Sequence, residues 1–140
     1  MAIRISRTLL DSIVSDAARD EKAERCGLLL GDEQSIIAVH FAANVAPDPC
    51  RHFELDPALL LAAYKAAREG GPRVIGHYHS HPSGWALPSA TDAGCALPDG
   101  SLWLLVAGGE AALWRAVEHG PVQGRFQAEP MEICGDVELA

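Results

Sequence analysis

Residues 73–92 read RVIGHYHSHPSGWALPSATD, and this stretch decides the fold because it combines the patterns of a strand, a loop and a helix start. Residues 73–80 are typical of a β-strand. Two prolines and a glycine predict a loop over residues 82–88. Ser89 is a favourable N-cap, so the sequence predicts a short helix over residues 88–96.

Three histidines occupy alternate positions in this stretch: His77, His79 and His81. Alternate side chains of a strand share one face and lie about 7 Å apart along the backbone. Two imidazoles so placed can bind one metal ion at about 2.0–2.1 Å. The alternative is a pair of surface or hydrogen-bonded histidines on an edge strand.

Asp92 follows Ser89 by three residues, which places it in the first turn of the predicted helix. There the positive end of the helix dipole keeps a carboxylate ionised. Two histidines and one aspartate make three protein ligands and leave a fourth position for water, as in catalytic zinc sites. Ser89 and Asp92 also fit a plain capping box that needs no metal, and the two interpretations can coexist.

A zinc-bound water also needs a general base, and the sequence around the histidines offers none. Neither a His-Glu-x-x-His motif nor the deaminase pattern is present. Glu24, just before an apolar run at residues 26–30, is the candidate. The spacing alone does not favour Glu24 over Glu21, and either could be a solvated carboxylate.

The rest of the chain mixes strands and helices without strict alternation. Thr8 is the predicted N-cap of the first helix, and Asp56 with Pro57 begins the second. Residues 44–56 are a predicted loop. Helices are expected over residues 8–21 and 57–69, and further strands over residues 4–6, 26–30, 35–41, 102–107, 111–117 and 123–133. This order predicts an α/β (α+β) class with a mixed sheet flanked by helices.

Composition limits the classes of partner. The chain has 140 residues, which fits a single domain over residues 1–140. Its 11 basic and 19 acidic residues give 11 − 19 = −8, without a basic cluster. Nucleic acid and anionic membrane surfaces are therefore poor partners. Asp11 and Asp16 interrupt the apolar pattern of the N-terminal residues, so neither a signal peptide nor a membrane span is expected, and we expect a soluble cytoplasmic protein.

The four cysteines, Cys26, Cys50, Cys95 and Cys134, lie far apart and form no Cys-x-x-Cys pair. This spacing excludes a zinc knuckle and a redox dithiol. In a reducing compartment we expect all four to be small buried or half-buried thiols.

Residues 24–31 (ERCGLLLG) and 76–92 (GHYHSHPSGWALPSATD) together resemble the JAMM motif of the MPN (JAB/Mov34) metallopeptidases. The likeness covers His-x-His-Pro, the following gap, Ser-x-x-Asp and an upstream Glu, and the order of elements resembles the family over nearly the whole chain. It implies the MPN/JAB fold, which is cytidine-deaminase-like, with a curved mixed sheet. The chain resembles a small, prokaryotic-type member.

The resemblance implies a role for each matching position. Glu24 would be the general base that passes a proton to the leaving amine, and Ser89 would donate a hydrogen bond to the oxyanion. Trp85 would form a wall of the substrate groove, with packing inside its loop as the alternative. We expect His77 to be a hydrogen-bonded core residue, because a fourth protein ligand would close the site. One Zn²⁺ would be bound by His79, His81 and Asp92.

The resemblance also implies a reaction. Family members cleave after the C-terminal Gly-Gly of ubiquitin-like proteins, and a small prokaryotic-type member suggests a ubiquitin-like sulfur carrier as substrate. The first alternative is a non-catalytic MPN scaffold, and the second is a hydrolase that uses Cys26 or Cys95. The oligomeric state stays open, as does an inhibitory role for residues 131–134 across a groove.

Overall fold

A computed structural model describes residues 2–50, 52–82 and 84–135. Its helices are α1 (Arg7–Ala17), α2 (Pro57–Arg68) and α3 (Ala90–Cys95). Its strands are β1 (Ile3–Ser6), β2 (Cys26–Gly31), β3 (Ser35–Ala42), β4 (Arg73–Ser80), β5 (Leu102–Ala107), β6 (Glu110–Gly120), β7 (Gly124–Glu129) and β8 (Met131–Cys134).

The strands form one mixed sheet in the order β7-β6-β5-β4-β2-β3-β1-β8. β1 pairs in parallel with β3 and β8, and β4 pairs in parallel with β5. The remaining neighbours are antiparallel, including β2 and β3, which are consecutive in the chain. The predicted α+β class with a mixed sheet is therefore confirmed.

The C-terminal part of the sheet differs from the prediction of one strand over residues 123–133. Pro130 has no N–H to continue a strand ladder, so the strand divides there into β7 and β8. β7 pairs with β6 at one edge of the sheet, whereas β8 pairs with β1 at the opposite edge. Residues 131–134 are thus an edge strand of the sheet, with three strands between them and β4, and do not lie across a groove beside the histidines.

This connection forces the sheet to curl. Eight strands about 4.8 Å apart would hold the two edges of a flat sheet about 34 Å apart. Only Pro130 separates β7 from β8, and two residues of extended chain span at most about 7 Å. The two edges must therefore approach each other at this point, which agrees with the predicted curvature.

Helix α1 covers one face of the sheet and buries the main core there. Ile13 of α1 and Tyr78 of β4 are fully buried in this core. The helix starts earlier than predicted, because Ser6 rather than Thr8 is the N-cap and accepts a hydrogen bond from the Leu9 N–H at 3.0 Å. It also ends at Ala17, short of the predicted residue 21.

The opposite face carries α2, α3 and a smaller aromatic core. Trp103 of β5 and Phe126 of β7 pack edge-to-face with ring centroids 4.8 Å apart. Ala93 and Ala96, in α3 and at its C-cap, pack against this cluster and hold the short helix on the sheet. His77 and His79 project from β4 toward this same face, because they alternate with Tyr78 along the strand.

The four cysteines are free thiols. Cys26 and Cys134 are buried as expected, but Cys50 and Cys95 are exposed, so the expectation was wrong for these two. Cys50 lies in the loop before α2 and Cys95 ends the six-residue helix α3, where little structure covers them. None of the helices in the described residues combines the length and the apolar character that a membrane crossing requires.

Candidate active site

The site lies at the C-terminal end of β4, where the three alternate histidines meet α3. His79 is fully buried, and His81 follows the strand end with its N–H donating to the carbonyl of Val106 at 2.9 Å. This bond extends the contact between β4 and β5 by one residue beyond the strand. Both imidazoles are thereby directed toward Asp92, as the alternate spacing predicts.

His79, His81 and Asp92 bring three ligand atoms together. The two histidine Nε2 atoms are 3.1 Å apart. Asp92 places Oδ1 3.2 Å from Nε2 of His79 and Oδ2 3.1 Å from Nε2 of His81. Ligand atoms about 2.0–2.1 Å from a tetrahedral zinc ion are separated by about 3.3–3.4 Å. The Nε2–Nε2 separation is close to this value, and each histidine faces one oxygen of Asp92, so the three residues could hold one such ion.

Each histidine is oriented by a hydrogen bond at its other ring nitrogen. Nδ1 of His81 lies 2.8 Å from the carbonyl oxygen of Trp85, so it donates its proton there. Nδ1 of His79 lies 3.2 Å from Nε2 of His77. Partners at Nδ1 leave Nε2 of both rings available to a metal, which is the usual arrangement around protein zinc. His77 is hydrogen-bonded to a candidate ligand, as the sequence predicts.

Asp92 is fixed by the predicted capping box of α3. Its N–H donates to Oγ of Ser89 at 3.0 Å, and its Oδ2 accepts from the Ser89 N–H at 2.9 Å. Burial opposes ionisation, but hydrogen bonds from His79 and His81 outweigh it and hold the pKa of Asp92 well below its usual value. The carboxylate is therefore ionised, as a zinc ligand must be.

The histidines differ in their protonation. Burial lowers the pKa of His79, even though Asp92 favours its charged form. Burial also lowers the pKa of His77, well below its usual value, so that this ring is neutral. For His81 burial is outweighed by the bonds to Asp92 and to the Trp85 carbonyl, and the pKa is raised.

Glu24 is the acidic residue that the structure brings to the site. Its side chain is buried, with Oε1 3.9 Å from Nε2 of His79, whereas Glu21 is exposed. Burial raises the pKa of Glu24 to about 7, although His81 opposes the rise. A carboxyl group with this pKa can exchange a proton near neutral pH. The fold thus distinguishes the two glutamates that the spacing left equivalent.

The loop after β4 is held at two points and exposes one aromatic ring. Nε1 of Trp114 donates to the carbonyl of Ala86 at 3.1 Å, and His81 holds the carbonyl of Trp85. Trp85 itself is 79% exposed, so its ring does not pack inside the loop.

Two residues at the site were missed by the sequence analysis. Phe53 stacks on His79 with ring centroids 4.3 Å apart and also covers His77 at 4.7 Å. Asn44 hydrogen-bonds to the backbone of Glu24. Both lie in the predicted loop over residues 44–56, where one asparagine and one aromatic residue within a proline-rich segment were the only available signals.

Two curated proteins illustrate what the chain is similar to. It is 40% identical to the desampylase of Haloferax volcanii over 101 residues, which cover 68% of this chain and 73% of that protein. It is 27% identical to the CysO-cysteine peptidase of Mycobacterium tuberculosis over 130 residues, covering 92% and 89% of the two chains. These relatives are named for peptidase-type reactions, in agreement with the sequence prediction of a hydrolase.

Solved structures share the fold. A solution structure of a Desulfitobacterium hafniense protein matches with a TM-score of 0.77 and 24% identity, covering 96% of this chain and 94% of that one. A JAB1/MPN domain protein from Archaeoglobus fulgidus matches with a TM-score of 0.60 and 20% identity, covering 94% and 98%. The family model described as prokaryotic homologs of the JAB domain matches residues 6–119. The chain therefore belongs to the prokaryotic JAB-domain family, as the histidine and aspartate pattern predicts.

Proposed function

We propose that this chain is a zinc-dependent peptidase that cleaves the peptide or isopeptide bond after the C-terminal Gly-Gly of a ubiquitin-like sulfur-carrier protein. The observation that carries the proposal is the buried Glu24 carboxyl group facing three converging ligand atoms. The names of the relatives, a desampylase and a CysO-cysteine peptidase, support this substrate class.

His79, His81 and Asp92 would hold one zinc ion in this proposal. A zinc ion bound there supplies a Lewis acid that polarises the scissile carbonyl and acidifies a water molecule. The chain's own contribution is to present two Nε2 atoms and one ionised carboxylate at the right separation, with His77 and Trp85 fixing the rings from behind.

Glu24 acts as the general base and then as the general acid. Its carboxylate removes a proton from the attacking water, and the resulting carboxylic acid gives that proton to the amine as the C–N bond breaks. The products are a carrier with a free C-terminal carboxylic acid and a free amine; at neutral pH the acid's proton passes to the amine, which gives a carboxylate and an ammonium, so atoms and charges balance. A pKa of about 7 suits both steps, because neither protonation state is strongly favoured at neutral pH.

Ser89 stabilises the oxyanion that forms at the scissile carbonyl. Its Oγ accepts the N–H of Asp92 through a lone pair, which leaves the hydroxyl proton free to be donated. Such a donor contributes about 10²–10³ in rate in hydrolases of related chemistry. The exposed ring of Trp85 forms one wall of the groove that receives the carrier's C-terminal segment.

The decisive experiment uses the zinc-loaded protein with two substrates. One is a ubiquitin-like carrier whose Gly-Gly is followed by a peptide extension, and the other is the same carrier joined to a lysine side chain. We expect release of a carrier that ends in Gly-Gly, measured by mass spectrometry. Glu24→Gln should retain zinc but lose at least about 100-fold in rate. Glu21→Gln, the matched control on the exposed neighbour, should remain active.

The alternatives give different outcomes in the same experiment. A non-catalytic scaffold would bind the carrier equally well with Glu24 or Gln at that position and would cleave neither substrate. A cysteine hydrolase would lose activity with iodoacetamide and keep it in a chelator. No cleavage of either substrate by a fully zinc-loaded protein would refute the proposed function.

We also propose that the protein acts in the cytoplasm. The support is chemical: all four cysteines are free thiols, two of them exposed, as a reducing compartment allows.

A further inference from the structure

The loop over residues 43–56 lies against the candidate active site, although its described residues form no helix or strand. Its described residues run from the end of β3 to the start of α2. Phe53 of this loop covers His79, and Asn44 reaches the backbone beside the predicted general base. The loop therefore contacts both a candidate metal ligand and the predicted general base.

Asn44 uses its side chain to hold this loop and Glu24 together. Its Nδ2 donates to the carbonyls of Glu24 and His52 at 2.9 Å each. Its Oδ1 accepts from the backbone N–H groups of Ala46 and Glu54, at 3.1 Å each. The two carbonyls need a donor and the two N–H groups need an acceptor. A side-chain amide offers both, with its nitrogen toward the carbonyls and its oxygen toward the N–H groups.

Glu24 depends on this loop because it lies outside the sheet. β2 begins at Cys26, so the backbone of Glu24 has no partner in a strand ladder. Its N–H instead donates to the carbonyl of Pro49 at 2.7 Å, and its carbonyl accepts from Asn44. Both polar groups of the Glu24 backbone are thus bound by the loop, which sets the direction in which the buried carboxyl group leaves the chain.

We propose that Asn44 is a positioning residue for Glu24: it fixes the backbone of the general base so that the carboxyl group faces the zinc ligands. The inference rests on the proposed function of Glu24. A general base must lie within about 2.6–3.2 Å of the atom that carries the proton it removes. A displacement of 1 Å can cost about 100-fold in rate. The hydrogen bonds that fix the Glu24 backbone should therefore affect the reaction rate more than those of an ordinary loop residue.

Two variants test this role. Asn44→Ala removes these four bonds and a longer one, of 3.4 Å, from Nδ2 to the Pro49 carbonyl. Asn44→Asp keeps the volume and the acceptor oxygen, but it places a second oxygen against the carbonyls of Glu24 and His52. We expect kcat to fall by about 10–100-fold in both. KM should stay within about threefold and zinc content should stay at one per chain, because Asn44 contacts neither a ligand atom nor the groove.

Two comparisons separate positioning from general destabilisation. Ile5→Val, in the core of β1 on the other face of the sheet, should lower stability without lowering kcat. In the Glu24→Gln background, Asn44→Ala should change the residual rate by less than about twofold, because the group that it positions is already inactive. Full additivity of the two substitutions would refute the proposal.

Amide hydrogen exchange gives a readout that needs no activity. The Glu24 N–H is bonded to the Pro49 carbonyl, so its exchange in the zinc-loaded protein should accelerate at least about tenfold in both Asn44 variants while the β5 amides remain protected. Unchanged exchange, or an unchanged kcat, would overturn the proposal. If the wild-type protein cleaves no carrier, the proposed function fails, and the exchange result still decides the role of Asn44. If Asn44→Ala does not fold, the isosteric Asn44→Asp supplies every comparison.

Discussion

Nε2 of His77 lies 3.2 Å from Nδ1 of His79, and the two rings stack with an interplanar angle of 14°. When Nε2 of His79 binds a metal, its Nδ1 carries the proton and donates it to His77. His77 must then present an unprotonated Nε2, which its burial favours by keeping the ring neutral. His77 therefore bonds to a predicted zinc ligand, His79, without being one of the predicted ligands itself.

His77→Phe should therefore weaken zinc binding by about 10–100-fold, because the ring of His79 loses its hydrogen-bond acceptor. Competition with a chromophoric chelator measures the affinity. His77→Gln keeps an acceptor oxygen and should recover part of the loss. His119, whose side chain is 92% exposed, supplies the control variant His119→Phe. Equal zinc affinities for His77→Phe and the wild type would contradict this assignment.

Zinc should stabilise the folded chain, because the three ligand atoms converge only in the native structure. At free zinc 100 times Kd, the gain is about 2.7 kcal/mol, so the melting temperature should rise as zinc is titrated into chelator-treated protein. Asp92→Asn keeps an oxygen for the capping box but removes the charged ligand, and it should abolish the rise. Asp99→Asn, in an exposed turn, should melt like the wild type in the same titration. A zinc-dependent rise in Asp92→Asn would show that the ion binds elsewhere.

Asp16 should be essential for stability. This buried carboxylate of α1 binds the Arg25 guanidinium at 2.8 Å and accepts from the Tyr78 hydroxyl at 2.8 Å. Asp16→Ala leaves both partners without their acceptor. Arg25 is partly exposed and can be solvated, but the buried Tyr78 hydroxyl cannot, so the substitution should cost about 1–3 kcal/mol. Urea unfolding measures the loss. Asp11→Ala, on the exposed side of the same helix, should cost less than about 0.5 kcal/mol. A loss below 1 kcal/mol for Asp16→Ala would mean that the network contributes little.

Trp85→Ala should raise KM with little change in kcat. The ring is 79% exposed, and the main-chain carbonyl of Trp85, not its side chain, orients His81, so the substitution should leave the predicted zinc ligands in place. Loss of one aromatic contact of about 1.4 kcal/mol corresponds to a tenfold change in affinity. Leu61→Ala on α2, also largely exposed, is the control, and steady-state kinetics on the carrier fusion compares the two. A fall in kcat with KM unchanged would place Trp85 in the chemistry instead.

The features predicted well from the sequence are local ones. Alternate spacing places His77 and His79 on one face whatever the rest of the fold does. The Ser89 capping box needs only three residues of separation. Each of these features depends only on residues close together in the chain, so the local sequence pattern is sufficient to predict it.

The features that the sequence left open depend on contacts between distant segments. Glu24 and Glu21 have similar neighbours, and only burial against His79 distinguishes them. Asn44 has its role because the loop folds back on residue 24, twenty positions earlier. β8 pairs with β1, which lies far away in the chain, so no local pattern predicts this pairing. Pro130 indicates only that one strand must end there.

The single residue between β7 and β8 has a mechanical consequence. It joins the two edge strands of the sheet, so the covalent length of the chain, as well as packing, fixes how closely the two edges approach each other. Flexible residues inserted beside Pro130 would leave the strand pairs unchanged but lengthen this connection. We then expect the sheet to flatten, although the insertion lies far along the chain from the histidines.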